Sequence, residues 1–183
     1  MKKFLALVTL VCMVLTASVA FAAFPSKTAQ DLTAAETGMP VNGVVPEAGF
    51  AIFVTDPTEP IEAEIAAMAD HVATDVIATY YDEETQAKLA ELVADPAALV
   101  AYELVPVACS GYKAEYGDVP AKFVFATAFE EGAELTVAVK TDVWSVQKCV
   151  VEEGKVEVLF TGAELTQMEA APALMVVMST PIA

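Results

Sequence analysis

The chain has no arginine, a single histidine, a single asparagine and three cysteines in 183 residues. Each scarcity removes a chemistry. Without a guanidinium there is no bidentate grip on phosphate or carboxylate. Against 26 acids the nine lysines leave a formal charge of −17. So anionic a surface repels nucleic acid and acidic lipid, and no nucleic-acid partner is expected. The abundant acids read most simply as a solubilising surface on an apolar chain. One histidine, His71, falls short of a zinc site, which needs three or four converging ligands, and it is not in an H-E-x-x-H motif. None of Ser26, Ser110, Ser145 and Ser179 lies in G-x-S-x-G, and there is no Walker or G-x-G-x-x-G loop. Glu36-Thr37-Gly38 resembles the aspartic-protease triplet but carries the wrong acid and has no second copy. Asn42 precedes the C-terminal strand pattern, which removes a Lys–Asn isopeptide from it; a Lys–Asp bond would need Asp118 or Asp142.

What is present begins with a leader. Lys2 and Lys3 precede an apolar run over residues 4–19, closed by Ala20-Phe21-Ala22. That order is a secretory signal peptide cut after Ala22. Cys12 lies inside the run without the small preceding residue of a lipoprotein site. The run is shorter than a bilayer span, as is the uncharged stretch 170–183, so no stable membrane insertion is expected after cleavage. The expected location is secreted, extracellular, free or associated with the cell surface.

The remaining chain divides by pattern. Residues 23–49 are rich in Ala, Thr, Pro and Gly and read as an N-terminal arm or linker, with a strand or draped segment around 29–34. Residues 50–100 read as a helical segment with one strand, over 50–54. Ile61, Ile65, Met68, Val72, Val76 and Tyr80 recur at helical spacing, which predicts one helix of about five turns. A second helix is expected from Asp82 as N-cap through Leu89, Leu92 and Val93, and a single turn after Asp95-Pro96. From residue 101 to 183 the period is two. Strands are expected over 102–109, 122–129, 134–140, 143–150, 156–161 and 174–179, punctuated by hairpin turns. In the pair 134–140 and 143–150, Leu135, Val137 and Val139 are matched with Trp144, Val146 and Val150 as the buried face. The fold expected is α+β: an N-terminal helical pair packed on a C-terminal antiparallel β-sandwich, with 50–183 as one cooperative unit.

The leader, Thr28-x-x-Asp31-Leu32, Tyr80-Tyr81-Asp82-Glu83-Glu84, Gly111-Tyr112, Lys122 to Thr127, Glu131-Gly132, Trp144-x-Val146 and Gly154 to Phe160 together carry a resemblance. In these the chain resembles a group of small, uncharacterised secreted or cell-surface proteins of Gram-positive gut bacteria. The resemblance implies an immunoglobulin-like sandwich in the C-terminal half and an extracellular location. It implies no activity.

Several residues are weighed for chemistry. Cys109 shares strand parity with Val105 and Val107, whereas Cys149 shares it with Ser145 and Gln147, so a disulfide would need a bulge and two free thiols are the simpler reading. His71 with Asp70 and Asp75 is a small polar cluster rather than a metal site. Asp82-Glu83-Glu84, Glu130-Glu131 and Glu152-Glu153 are adjacent acids without the pattern of a calcium loop. Tyr80-Tyr81, Tyr112 and Tyr116 could stack on sugars but fit core or turn packing better. No catalytic, cofactor-binding or metal residue is assigned, and no cofactor. The functional expectation is a secreted, non-enzymatic binding or interaction module for an extracellular protein or glycan, such as adhesion or extracellular assembly. The alternatives are a small secreted hydrolase with a carboxylate- or Cys-centred site, and a calcium-dependent recognition domain.

Overall fold

The computed structural model describes residues 30–32 and 42–181. The leader, its cleavage site and Glu36-Thr37-Gly38 lie outside the described residues. Among these residues there are eight strands: β1 (Gln30–Leu32), β2 (Ala51–Val54), β3 (Val100–Ser110), β4 (Val119–Val124), β5 (Glu134–Lys140), β6 (Trp144–Glu152), β7 (Lys155–Phe160) and β8 (Ala173–Ser179). All pair antiparallel in one sheet, in the order β1-β4-β7-β6-β5-β8-β3-β2. The two ends of that order, β1 and β2, lie against one another. The sheet is therefore rolled nearly into a barrel. The α+β class holds; where two facing sheets are expected, one sheet curls around its own core.

Alternation builds that core. On β4, Val119, Ala121 and Phe123 point inward and Pro120, Lys122 and Val124 outward; on β7, Val156, Val158 and Phe160 point inward. Fully burying each phenylalanine is worth about 1.5–3 kcal/mol. β8 is buried along its whole length because both faces are covered. Its Ala173, Met175 and Val177 face the interior, and its Leu174, Val176 and Met178 face a helical layer outside. On β3 the pairing slips from Ala101↔Met178 to Glu103↔Val177, so Tyr102 is an extra, bulged residue. The bulge flips parity: Ala101 faces the helices, and Glu103 and Val105 face the interior.

The helical layer consists of α1 (Glu59–Val72), a 3-10 turn (Ile77–Tyr80) and α2 (Glu83–Leu92). The single five-turn helix expected over 61–80 is corrected. α1 stops at Val72, where the amides of Ala73 and Asp75 still bond back to Ala69 and His71, and Asp75 Oδ1 then accepts Val76 N at 2.8 Å. That side chain favours a turn over another helical residue, and Val76 is left 36 % exposed. α2 starts as expected, with Asp82 accepting from Thr85 N. Ile61, Met68, Ile77, Tyr81, Leu89 and Trp144 pack together on the outer face of the sheet. The expected strand over 122–129 is also corrected: β4 ends at Val124.

The face assignment of β6 is inverted. Leu135, Val137 and Val139 stand opposite Cys149, Gln147 and Ser145, so these residues, not Trp144, Val146 and Val150, share the inner face. Trp144 packs beneath the helices and Val150 is 42 % exposed. The polar residues turn inward because β6 and β7 are incompletely zipped. They pair only at Val151↔Val156 and Glu152↔Lys155. Beyond that point the Gln147 side-chain amide takes the place of a strand, donating Nε2–H to Leu159 O at 2.9 Å and accepting Leu159 N–H at 2.9 Å.

A third helix, α3 (Gly162–Ala170), is absent from the sequence expectations. It plugs one end of the rolled sheet, with Leu165 and Met168 in the core. Four polar pins hold it: Gly162 N–H to Asp118, Ser145 Oγ–H to Glu164 at 2.5 Å, Gln167 to Asp142, and Tyr112 N–H to Glu169. No helix among the described residues is long and apolar enough to cross a membrane.

Candidate functional site

The end opposite α3 is built differently. Antiparallel pairing brings the start of β3, the start of β5, the end of β8 and the β6–β7 hairpin to this mouth. The connection from β4 to β5 folds across it. Phe125 is buried, and Phe129 packs edge-on against both Tyr102 and Phe125, at ring separations of 5.8 and 6.3 Å. Glu103 is 2 % exposed, and its Oε1 accepts both the N–H and the hydroxyl of Thr127 at 2.6 Å. At the far side, Glu131 accepts the amides of Glu153 and Gly154 in the hairpin turn, and Gly132 and Ala133 exchange backbone bonds with Val151. Both acidic pairs, Glu130-Glu131 and Glu152-Glu153, thus come to this end, with Glu131 committed to the turn.

Between these elements lies an open cleft of about 410 Å³, lined by Phe129, Glu130, Ala133, Glu134, Ser179, Thr180 and Pro181. The volume is that of a small-ligand site, and barrel mouths are common places for one. Its two carboxylates differ. Glu134 is paired with Lys148 Nζ at 2.7 Å. Glu130 is exposed, and among the described residues its carboxylate has no ion pair or hydrogen bond. Ser179 continues the inward face of Met175 and Val177 to the rim. It is 8 % exposed, yet its hydroxyl makes no hydrogen bond among the described residues. A buried hydroxyl without a partner forfeits a hydrogen bond worth about 1 kcal/mol unless something enters to supply it.

A second, smaller depression of about 200 Å³ lies on the unzipped side, where Lys122, Lys148 and Lys155 surround Cys149. Two of those lysines face acids, Lys122 with Glu157 at 3.6 Å and Lys148 with Glu134. Burial, and then the nearby Glu157, push the Cys149 thiol up to about 12. Burial, and then Glu169, do the same to Cys109. Both are free, buried and protonated at neutral pH, which makes them poor nucleophiles. Cys109 and Cys149 both line the interior, so no parity difference separates them.

The other residues weighed in the sequence are spent on structure. His71 Nε2 pairs with Thr79 Oγ1 at 2.7 Å and meets the edge of Tyr80, in the helical layer and across the sheet wall from both thiols. Asp75 caps Val76 rather than joining His71 and Asp70. Ser110 donates to Gly49 O, and Ser145 to Glu164; Ser26 lies outside the described residues. Asp118 and Asp142 are pins for α3, not lysine partners. Asn42 ties the arm to the turn (Ala114–Tyr116) by donating to the carbonyls of Tyr116 and Asp118. Tyr116 is fully buried, Tyr112 donates to Gly117 O, and Tyr81 donates to Met178 Sδ, so these rings serve packing. Tyr80 donates to Glu64 Oε1 at 2.9 Å. No group of three or more His, Cys, Asp or Glu among the described residues is placed to hold a metal ion.

In the sequence Ser179 and Glu130 lie in separate segments, and nothing local brings them together. The usable signal was parity. Ser179 falls two residues after Val177, on the core-facing side of an apolar strand, where a hydroxyl needs a reason. Compared with protein-family models, curated proteins and solved structures, the chain matches none.

Proposed function

We propose that this is a secreted, non-catalytic binding module, with its leader removed after Ala22, that receives an extracellular protein or glycan at the mouth of its rolled sheet. One observation carries the reading: the 410 Å³ cleft keeps a nearly buried Ser179 hydroxyl beside the Glu130 carboxylate, neither with a hydrogen-bond or ion-pair partner among the described residues. The contrast between the two ends supports it. One end is sealed by a helix with four polar pins, and the other is walled by a loop fixed at both sides. Because the loop is already tied down by Glu103 and Glu131, binding at the cleft would have little chain left to order. The leader pattern at the start of the sequence and the anionic composition are what an exported domain with recognition outside the cell would carry.

The test uses the chain from Ala23 onward on a glycan array and against cell-surface extract, beside a Thr180→Trp variant that fills the cleft from its exposed rim. The expected result is specific binding by the wild type that the variant loses at unchanged melting temperature. Binding retained in full by the filled variant, or no specific binding by either protein, overturns the reading.

A further inference from the structure

We propose that the mouth cleft is a site for a primary alkylammonium group. The inference rests on the binding-module reading and names its ligand chemistry. A primary ammonium presents three N–H donors and a compact positive charge on an apolar stem. The cleft offers the complementary set. Glu130 supplies an exposed carboxylate with no partner among the described residues, and Ser179 supplies a hydroxyl oxygen held on the rigid end of β8. Thr180 adds a second hydroxyl at the rim, and Phe129 and Ala133 form an apolar wall for the stem.

The charges around the cleft favour the same sign. Among the described residues no lysine or histidine lines it, while the carboxylates of Glu130 and Glu134 do, Glu134 being paired with Lys148 behind it. Glu103 lies on the interior face of β3, opposite Val177 and two residues along β8 from Ser179, and adds a buried carboxyl at the same mouth. The net charge of −17 draws cations toward the molecule from solution. An anionic ligand would meet the Glu130 carboxylate, while the nearby base, Lys148, is already engaged by Glu134. A neutral sugar could satisfy Ser179 but would leave Glu130 unused. Lysine side chains, free alkylamines and amino sugars share this ammonium chemistry, and the test separates them.

Titration calorimetry at low salt, with the chain from Ala23 onward, uses four probes: n-butylamine, glucosamine, choline and n-butanol. The amine is expected to bind, choline at least tenfold more weakly because it lacks N–H donors, and n-butanol not measurably. Glucosamine matching or exceeding the amine assigns an amino sugar; glucosamine failing assigns a lysine-like stem. Glu130→Gln should weaken the amine by about tenfold or more, since a hydrogen bond to a charged group is stronger than one to a neutral amide. Ser179→Ala, a small change that leaves β8 packed, should weaken it several-fold. Glu62→Gln, on the exposed face of α1, should leave it unchanged. Equal loss with Glu62→Gln would reveal diffuse attraction to an acidic protein, and choline binding as well as butylamine would remove the acceptor geometry; either result overturns the proposal. If all amines fail while a glycan or protein still binds and Thr180→Trp abolishes it, the cation assignment falls and the module reading stands. If nothing binds at the mouth, both fall.

Discussion

Glu164 shows what a single side chain does in this fold. It is 8 % exposed, and its carboxylate accepts the Ser145 hydroxyl at 2.5 Å together with the N–H and hydroxyl of Thr161 at 2.7 and 2.8 Å. One acid therefore closes the capping box of α3 and ties that helix to β6. Replacement by alanine strands the half-buried Ser145 hydroxyl and the backbone amide of Thr161. Glu164→Ala should cost about 3 kcal/mol, read as a lower urea midpoint at unchanged slope, with Glu164→Gln intermediate. Gly111 makes a comparable demand through its backbone. It holds φ +66°, and a Cβ there would sit 2.8 Å from Gly49 O, a backbone atom that cannot swing aside. Gly111→Ala should cost about 1–3 kcal/mol in the same measurement. Gly154, at φ +70° with open space around it, should accept asparagine at a fraction of that cost.

Among the elements, the β6–β7 seam and α3 depend on one another. β6 and β7 zip for two residue pairs only, then Gln147 bridges to Leu159 and Glu164 reaches in from α3. Gln147→Leu removes both amide bonds while retaining bulk. It should speed hydrogen exchange at the Leu159 amide and open Cys149 to alkylation, leaving the β3–β8 amides as slow as before. Unchanged exchange at Leu159 would show that the seam is held by other contacts. Elements with a clean period were legible in the sequence. β5 matches its expected bounds because Leu135, Val137 and Val139 alternate with residues that suit an outer face, and Asp82 announces α2 as an N-cap. The misreadings have physical causes. β6 carries apolar residues on both faces, so parity alone could not say which side met the core, and the inward Ser145 and Gln147 have purpose only once α3 and β7 are placed. α3 itself was announced by Thr161-x-x-Glu164 ahead of Leu165 and Met168, a capping box that nine residues of weak amphipathicity obscured. The five-turn spacing misleads because its apolar residues continue through Val76 while Thr74 and Asp75 break the backbone. Of the cleft, Glu130 and Ser179 are nearly fifty residues apart in sequence, and only the ladder pairings of β5, β8 and β3 bring their strand ends to one mouth.

The whole molecule is an acidic shell around a core that keeps its own protons. Burial pushes the thiols of Cys109 and Cys149 up to about 12. Burial, and secondarily Tyr80 and Glu64, also raises the Tyr81 hydroxyl well above its ordinary value; burial and the hydrogen bond to Glu64 raise Tyr80. An unfolded chain releases these protons near their ordinary values of 9.0 and 10.0, and the folded chain retains them. Their contribution is complete below pH 9 and is lost as pH rises toward 12, because above pH 9 the unfolded state binds fewer protons. The melting temperature should therefore fall steadily above pH 9, and a Cys109→Ala, Cys149→Ala double variant should fall less steeply. An identical slope in the variant would place the alkaline sensitivity elsewhere. The same burial should keep both thiols unreactive toward iodoacetamide at pH 7.5 until denaturant is added.

The central claim is that recognition takes place at the mouth and not on the helical layer or the lysine-rimmed seam. Chemical-shift mapping of the amides during a titration with n-butylamine addresses it most directly. The account predicts shifts confined to residues 129–134 and 179–181, with the α1–α2 amides and those of Lys148 to Lys155 unmoved. Shifts centred on the helical layer or on the seam, or spread evenly over the acidic surface, would contradict it.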